Sequence, residues 1–263
     1  MNLRQHLKFI ARGYMTSAKP SPLLVGLAGV ALLQVLSILE QFVTDAARRT
    51  AAITEAANAY MENGSTQQLM SALESVELTM PQQLLQILLA IVSLMVSTGL
   101  VIYAISAIRY HKGSFGNLLD GLPILGRVMW YQIVSSVYIA FWTMLFVIPG
   151  ILATYSYRMG LYLLLDHPEM SVSECLKASR RMMQGNRWEL FVIDLSFFGW
   201  NMGLSMIAYG AAAGGLGYMG TLLSLPLAAF VTIYMQFTDF LYYEHLLGRH
   251  YDTSIPAADP TQP

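Results

Sequence analysis

From Leu84 to Ile108 the chain runs through 25 residues without one charged side chain. A helical run of that length crosses the ~30 Å hydrocarbon layer of a bilayer. Helix is the form such a run must take, because lipid offers no partner to backbone N–H and C=O groups. A membrane β-barrel is the other solution, but it needs short strands that alternate apolar and polar, and this run does not alternate. Apolar sequence also fills approximately residues 23–39, 128–165, 190–213 and 219–243. Hydrophobic residues make up 55% of the chain and charged ones 12%, about half the charged share of a soluble domain. The expected fold class is all-α, a polytopic membrane helical bundle of about six transmembrane helices with interfacial amphipathic helices.

The segments between these runs set the order of the chain. Residues 1–21 hold Arg4, Lys8, Arg12 and Lys19 and no acid. Leu3, Leu7, Ile10 and Tyr14 recur on one helical face, which predicts a short basic helix lying on the inner membrane surface. Pro20 and Pro22 end it, and a first span follows from Leu23. The apolar run is longer than a signal-peptide core and no clear A-x-A cleavage site follows it, so it reads as an uncleaved span. Residues 44–82 carry Asp45, Glu55, Glu62, Glu74 and Glu77 against Arg48 and Arg49. A helix over 46–60, a stop at Asn63-Gly64 and a capping box at Ser65-x-x-Gln68 predict an outer helical hairpin there.

Residues 109–127 return to basic character, and Phe115, Leu118, Leu119 and Leu122 predict a second interfacial helix. The run from Val128 to Leu165 is too long for one crossing, about 57 Å as a straight helix. Pro149-Gly150 marks a break within it, where the helix either kinks or turns back. Charge decides for a return. Six crossings leave 12 Lys and Arg residues inside against two in 44–82, whereas five would carry Lys177, Arg180, Arg181 and Arg187 outside. The return leg, 151–165, is short for a span. Ser171-x-x-Glu174 caps a third basic helix that Gly185 stops, and Trp188 anchors the next span. Gly214-Gly215-Leu216-Gly217 makes an outer turn. The expected layout is one membrane domain over 1–250, a disordered tail over 251–263, and both termini cytoplasmic. Three basic amphipathic segments, each ahead of a helical pair, also suggest an internal repeat.

The chemistry is sparse. A net charge of −1 points to no nucleic-acid partner, and the lone Cys175 excludes an intramolecular disulfide or a thiolate metal cluster. His6, His111, His167, His245 and His250 form no pair four residues apart, and no H-E-x-x-H, G-x-S-x-G or P-loop occurs. The expectation is a protein that is not an enzyme and holds no cofactor. Its partners would be the lipid bilayer and other membrane proteins, an exporter among them. The candidate intramembrane polar site is Arg158, Asp194, Asp239 and Asn201, with Gln34, Gln86, Gln132 and Gln236 the remaining polar groups at depth. Arg158 lies eight residues before Asp166 and Asp194 seven after Arg187, so both sit ~10–12 Å below the inner surface. Opposite charges at matched depth predict a direct contact, with Asp239 completing a triad. Such a site either locks helices or lines a substrate or ion path. The spacings Gly199-x-x-x-Gly203 and Gly210-x-x-x-Gly214 predict close helix packing within the chain.

Several stretches carry a resemblance to a known family. These are Ile148-Pro149-Gly150-Ile151, Tyr155-Ser156-Tyr157, Glu174, the run Ser179 to Phe191, and Leu195-Ser196-Phe197-Phe198-Gly199-Trp200. The chain resembles, over most of residues 85–250, the bacterial domain-of-unknown-function 975 family of integral membrane proteins. That family is related to the membrane domain fused to some glycerophosphodiester phosphodiesterases. The resemblance implies a bacterial plasma-membrane protein of several spans and unassigned biochemistry. Arg12-Gly13-Tyr14 departs from the family's usual Gly-Asn-Trp helix ending, and the outer segment 44–82 is particular to this chain.

Overall fold

The computed structural model describes residues 3–18, 20–44, 46–64, 66–67, 70, 78–213 and 218–248. The second helix expected in the outer hairpin, the Gly214–Gly217 turn and the tail lie outside the described residues. The described residues are predominantly helical, with no strand among them, as the uncharged runs require. The helices are α1 (Leu3–Ser17), α2 (Pro22–Thr44), α3 (Ala46–Asn63), α4 (Met80–Arg109), α5 (Leu125–Leu145), α6 (Val147–Tyr157), α7 (Gly160–Asp166), α8 (Val172–Met182), α9 (Arg187–Ala213) and α10 (Tyr218–Leu246). Five stretches among them are long and apolar enough to cross a membrane: Pro22–Thr44, Met80–Arg109, Phe115–Leu145, Arg187–Ile207 and Leu222–Leu246.

The chain divides into two compact units, Leu32–Leu94 and the remainder, so the division falls inside the first two spans and not at residues 44 and 82. In the smaller unit, Gly64 stops α3 in the left-handed conformation that glycine adopts freely, at φ +66°. The Gln82 side chain caps α4 by accepting the Thr79 N–H at 3.0 Å. Gln86 donates to Glu40 at 3.3 Å.

The larger unit is built on the antiparallel pair α9 and α10, with Phe197 edge-on to Tyr234 at 5.2 Å. The Tyr242 hydroxyl donates to the Asn186 carbonyl at 2.9 Å and defines one end of the pair. α1 is not a free surface helix: Leu7, Ile10, Ala11 and Tyr14 are buried and the helix packs along α10. Lys8 bonds the Ser196 hydroxyl and lies over the Phe197 ring, while Tyr234 donates to the Lys8 carbonyl at 3.3 Å. Sequence periodicity finds the apolar face of a helix but does not say whether lipid or protein covers it.

Two corrections concern the middle of the chain. Residues 115–122 do not form an interfacial α-helix. Ser114 and Asn117 cap each other's backbone around a four-residue 3-10 turn, Phe115–Leu118, and a second such turn follows at Leu122–Ile124. Gly99 in α4 lets the Leu118 backbone approach so closely that a Cβ there would stand 2.4 Å from its carbonyl oxygen. The reversal after α5 falls at Phe146, whose extended backbone (φ −157°, ψ 143°) breaks the helix, and not at Pro149-Gly150. Pro149 occupies the first turn of α6, where an N–H would have no intrahelical partner. Gly150 lies against Thr143, as a tight α5–α6 hairpin requires.

The return leg expected over 151–165 is two short helices, of 11 and 7 residues, that meet at Arg158-Met159. Their ends fix their course. Ile148 shares a cavity with Gly185 and Trp188 at the start of α9. Asp166 shares the Arg109 guanidinium with Glu244 near the end of α10. Between them, Arg158 reaches Asp194 and Asp239, about two turns farther along α9 and α10. The segment therefore enters and leaves beside the same end of the α9–α10 pair. α5 starts at that end as well, where Arg127 donates to the Met170 carbonyl at 2.6 Å.

Candidate functional site

Arg158 sits at the turn between α6 and α7, with both guanidinium arms engaged. One nitrogen donates to Asp194 Oδ2 of α9 at 2.5 Å and the other to Asp239 Oδ2 of α10 at 2.6 Å. Tyr155, one turn earlier on α6, adds its hydroxyl to Asp194 Oδ2 at 3.1 Å. Asp194 Oδ1 is buried and has no hydrogen-bond partner among the described residues. The structure thus brings together three of the four charged or polar residues that the sequence singles out. It does not bring Asn201 with them: its amide donates to the Phe197 carbonyl at 3.2 Å and faces Met235 Sδ at 3.7 Å.

A second cluster of the same composition lies nearer the helix ends. Arg109, the last residue of α4, makes a bidentate pair with Asp166 at 2.7 and 3.0 Å and also bonds Glu244. Tyr243 donates to Asp166 Oδ2 at 3.0 Å. A planar fork facing a carboxylate is the geometry in which arginine binds best. Sequence reasoning missed this cluster, although Arg109, Asp166 and Glu244 each directly follow an apolar run ending at Ile108, Leu165 and Tyr243. That coincidence was the available signal.

The two clusters share α10, and the aromatic rings of Tyr162, Phe240 and Tyr243 lie between them. Tyr162 lies 5.3 Å from Tyr243 and 5.9 Å from Phe240, while the Arg109 guanidinium stands 5.2 Å over Phe240. Each cluster holds one cation, two carboxylates and one tyrosine hydroxyl. With both acids ionised, each carries an excess negative charge, which a proton or a bound cation would neutralise.

α8 packs against α7 and is positioned as its sequence dictates. Ser171 and Glu174 form the reciprocal capping box, and the buried Ser179 hydroxyl donates to the Ser156 carbonyl at 2.8 Å. Cys175 is buried beneath it, and burial raises its thiol above the ordinary value, away from nucleophilic chemistry. Gly199, Gly203 and Gly210 meet no atom within 4 Å among the described residues, so the expected small-residue packing does not occur there. Gly26 and Gly29 of α2 serve instead, against Ile233 and Leu100.

An all-helical fold with five stretches long and apolar enough to cross a membrane is that of a multi-pass membrane protein. Within that class, the chain belongs to the family described as protein of unknown function DUF975, which it matches over residues 25–250. No curated protein and no solved structure matches it.

Proposed function

We propose that this is a non-enzymatic protein of the bacterial plasma membrane that acts by binding lipids or a membrane partner, as an accessory or protective subunit linked to export. The observation that carries the reading is that Arg109 and Arg158 are both fully engaged. Arg158 and Arg109 each satisfy two carboxylates, so these groups hold helices together and do not line an open path. A buried cation kept for transport would leave a face toward its substrate. A resemblance to the membrane domain fused to some glycerophosphodiester phosphodiesterases, whose catalysis belongs to a separate domain, would fit the same reading.

The proposed topology has both termini cytoplasmic and four crossings, by α2, α4, α9 and α10. The α5–α8 region then stays at the cytoplasmic face, with α6–α7 dipping in and returning. Its support is the shared end at which Ile148 meets Gly185 and Asp166 meets Arg109. Four crossings keep the same 12 Lys and Arg residues inside as six do, because charge counting separates only odd from even.

The alternative is a small transporter or channel using Arg158, Asp194 and Asp239. The unpartnered Asp194 Oδ1 favours it, as a spare carboxylate oxygen for a proton or cation. Flux into liposomes containing the purified chain separates the two. Ion or proton flux that Asp194→Asn abolishes would replace the accessory reading; its absence, with lipid or partner retained on purification, supports that reading.

A further inference from the structure

An apolar chamber in the larger unit opens onto basic side chains. A cavity of about 440 Å³ lies between α6 and the first turns of α9, walled by Ile148, Ile151, Leu152, Tyr155, Trp188 and Phe191, with Arg187 at its edge. That volume falls in the range of small-molecule sites. Arg187 and Leu152 also line an adjoining cavity of about 160 Å³ that Arg180 borders. Arg180 in turn lines a third, of about 290 Å³, together with Lys177. Among the described residues, no acidic side chain lines any of the three.

Both arginines lack an ion pair among the described residues, unlike Arg109 and Arg158. The Arg187 Nε is buried with no hydrogen-bond partner among the described residues, which in a folded protein calls for a ligand or another acceptor. The mouth is open: Ile148 is 73% exposed and Trp188 69%. Tryptophan and tyrosine at a rim of this kind favour the headgroup level of a bilayer.

We infer that these cavities form a binding site for an anionic glycerophospholipid, an inference that rests on the lipid-binding reading above. The phosphodiester is held by Arg180 and Arg187, and one acyl chain fills the apolar chamber. Guanidinium forks match phosphate oxygens, and the absence of a lining acid disfavours a headgroup that carries its own amine.

The test is native mass spectrometry of the full chain in mild detergent, titrated with phosphatidylglycerol, phosphatidylcholine or inorganic phosphate. The wild type should hold phosphatidylglycerol in preference to phosphatidylcholine, and millimolar phosphate should not displace it. Arg180→Gln with Arg187→Gln should weaken phosphatidylglycerol retention about tenfold and leave phosphatidylcholine unchanged. Leu152→Trp, which fills the chamber and leaves both arginines, should weaken it as well. Phosphatidylglycerol held equally by the wild type and both variants, at unchanged melting temperature, overturns this site and leaves the lipid-binding reading standing. Displacement by phosphate alone overturns the acyl-chain half of the inference. If the wild type holds neither lipid, the lipid-binding reading itself falls.

Discussion

The two arginine clusters use the same parts and differ in where they stand. Arg109 with Asp166, Glu244 and Tyr243 ties together the ends of three helices. Arg158 with Asp194, Asp239 and Tyr155 ties a helix turn to positions about two turns inside two others. In the isolated chain the two arginine side chains are almost equally exposed, 22% and 27%. Packing alone therefore does not rank them. What ranks them is the medium against the exposed part: water and headgroups at the helix ends, increasingly hydrocarbon two turns farther along. A charge that loses its partner is rescued by water in the first place and stranded in the second.

Arg158→Ala should be the most damaging change, because it leaves two carboxylates facing each other without a cation. The expected loss is about 3–5 kcal/mol of stability in detergent, the usual cost of breaking a buried pair from one side. Adding Asp194→Ala should cost less than the sum of the single changes; strict additivity would mean the pair contributes nothing. Arg109→Ala removes three bonds where Arg158→Ala removes two, yet should cost only about 1–3 kcal/mol, since headgroup water can reach Asp166 and Glu244. Equal losses at the two arginines would break the comparison outright.

Removing one hydroxyl from each cluster tests the same contrast at smaller scale. Tyr155→Phe and Tyr243→Phe each delete one bond to a carboxylate, worth about 1 kcal/mol. The Tyr155 change should be the larger of the two when the chain is melted in nanodiscs. Smallest is Ser171→Ala, which uncaps α8 at a cost of about 1 kcal/mol or less and touches neither cluster. The Ser171 N–H, and then its hydroxyl, hold the Glu174 carboxyl below its ordinary value. A lowered carboxylate stabilises the fold above its unfolded pKa and loses that contribution as pH falls through the lowered value. Acid melting of the wild type should show this loss, and Ser171→Ala, which keeps the backbone N–H and removes only the hydroxyl, should show a smaller one.

Local signals were read well because their physics is local. Ser171 with Glu174 and Asn63 with Gly64 each specify a backbone hydrogen-bond pattern within four residues, and the helices begin and end there. Depth counting joined Arg158 to Asp194 because rise per residue is fixed in a helix. The course of 147–166 was not legible, since an apolar stretch looks the same whether it crosses lipid or folds back against protein. The same ambiguity hid the cover over Leu7, Ile10 and Tyr14, which α10 supplies. Asp166 and Glu244 read as charges just beyond span ends, and only the tertiary fold brings them to one guanidinium. The Arg187 cavities escaped the sequence for a similar reason: they need α6 and α9 side by side.

The course of α6–α7 is the claim on which the depth contrast depends, and labelling of single cysteines in a Cys175→Ser background tests it. Ile148→Cys and Lys177→Cys would each be exposed to an impermeant thiol reagent in oriented membrane vesicles of either sidedness. Reaction of both from the same face is the expected result, because α6 starts beside Gly185 and Trp188. Reaction of position 148 only from the face opposite position 177 would mean that the segment crosses the membrane, and the re-entrant course would be wrong.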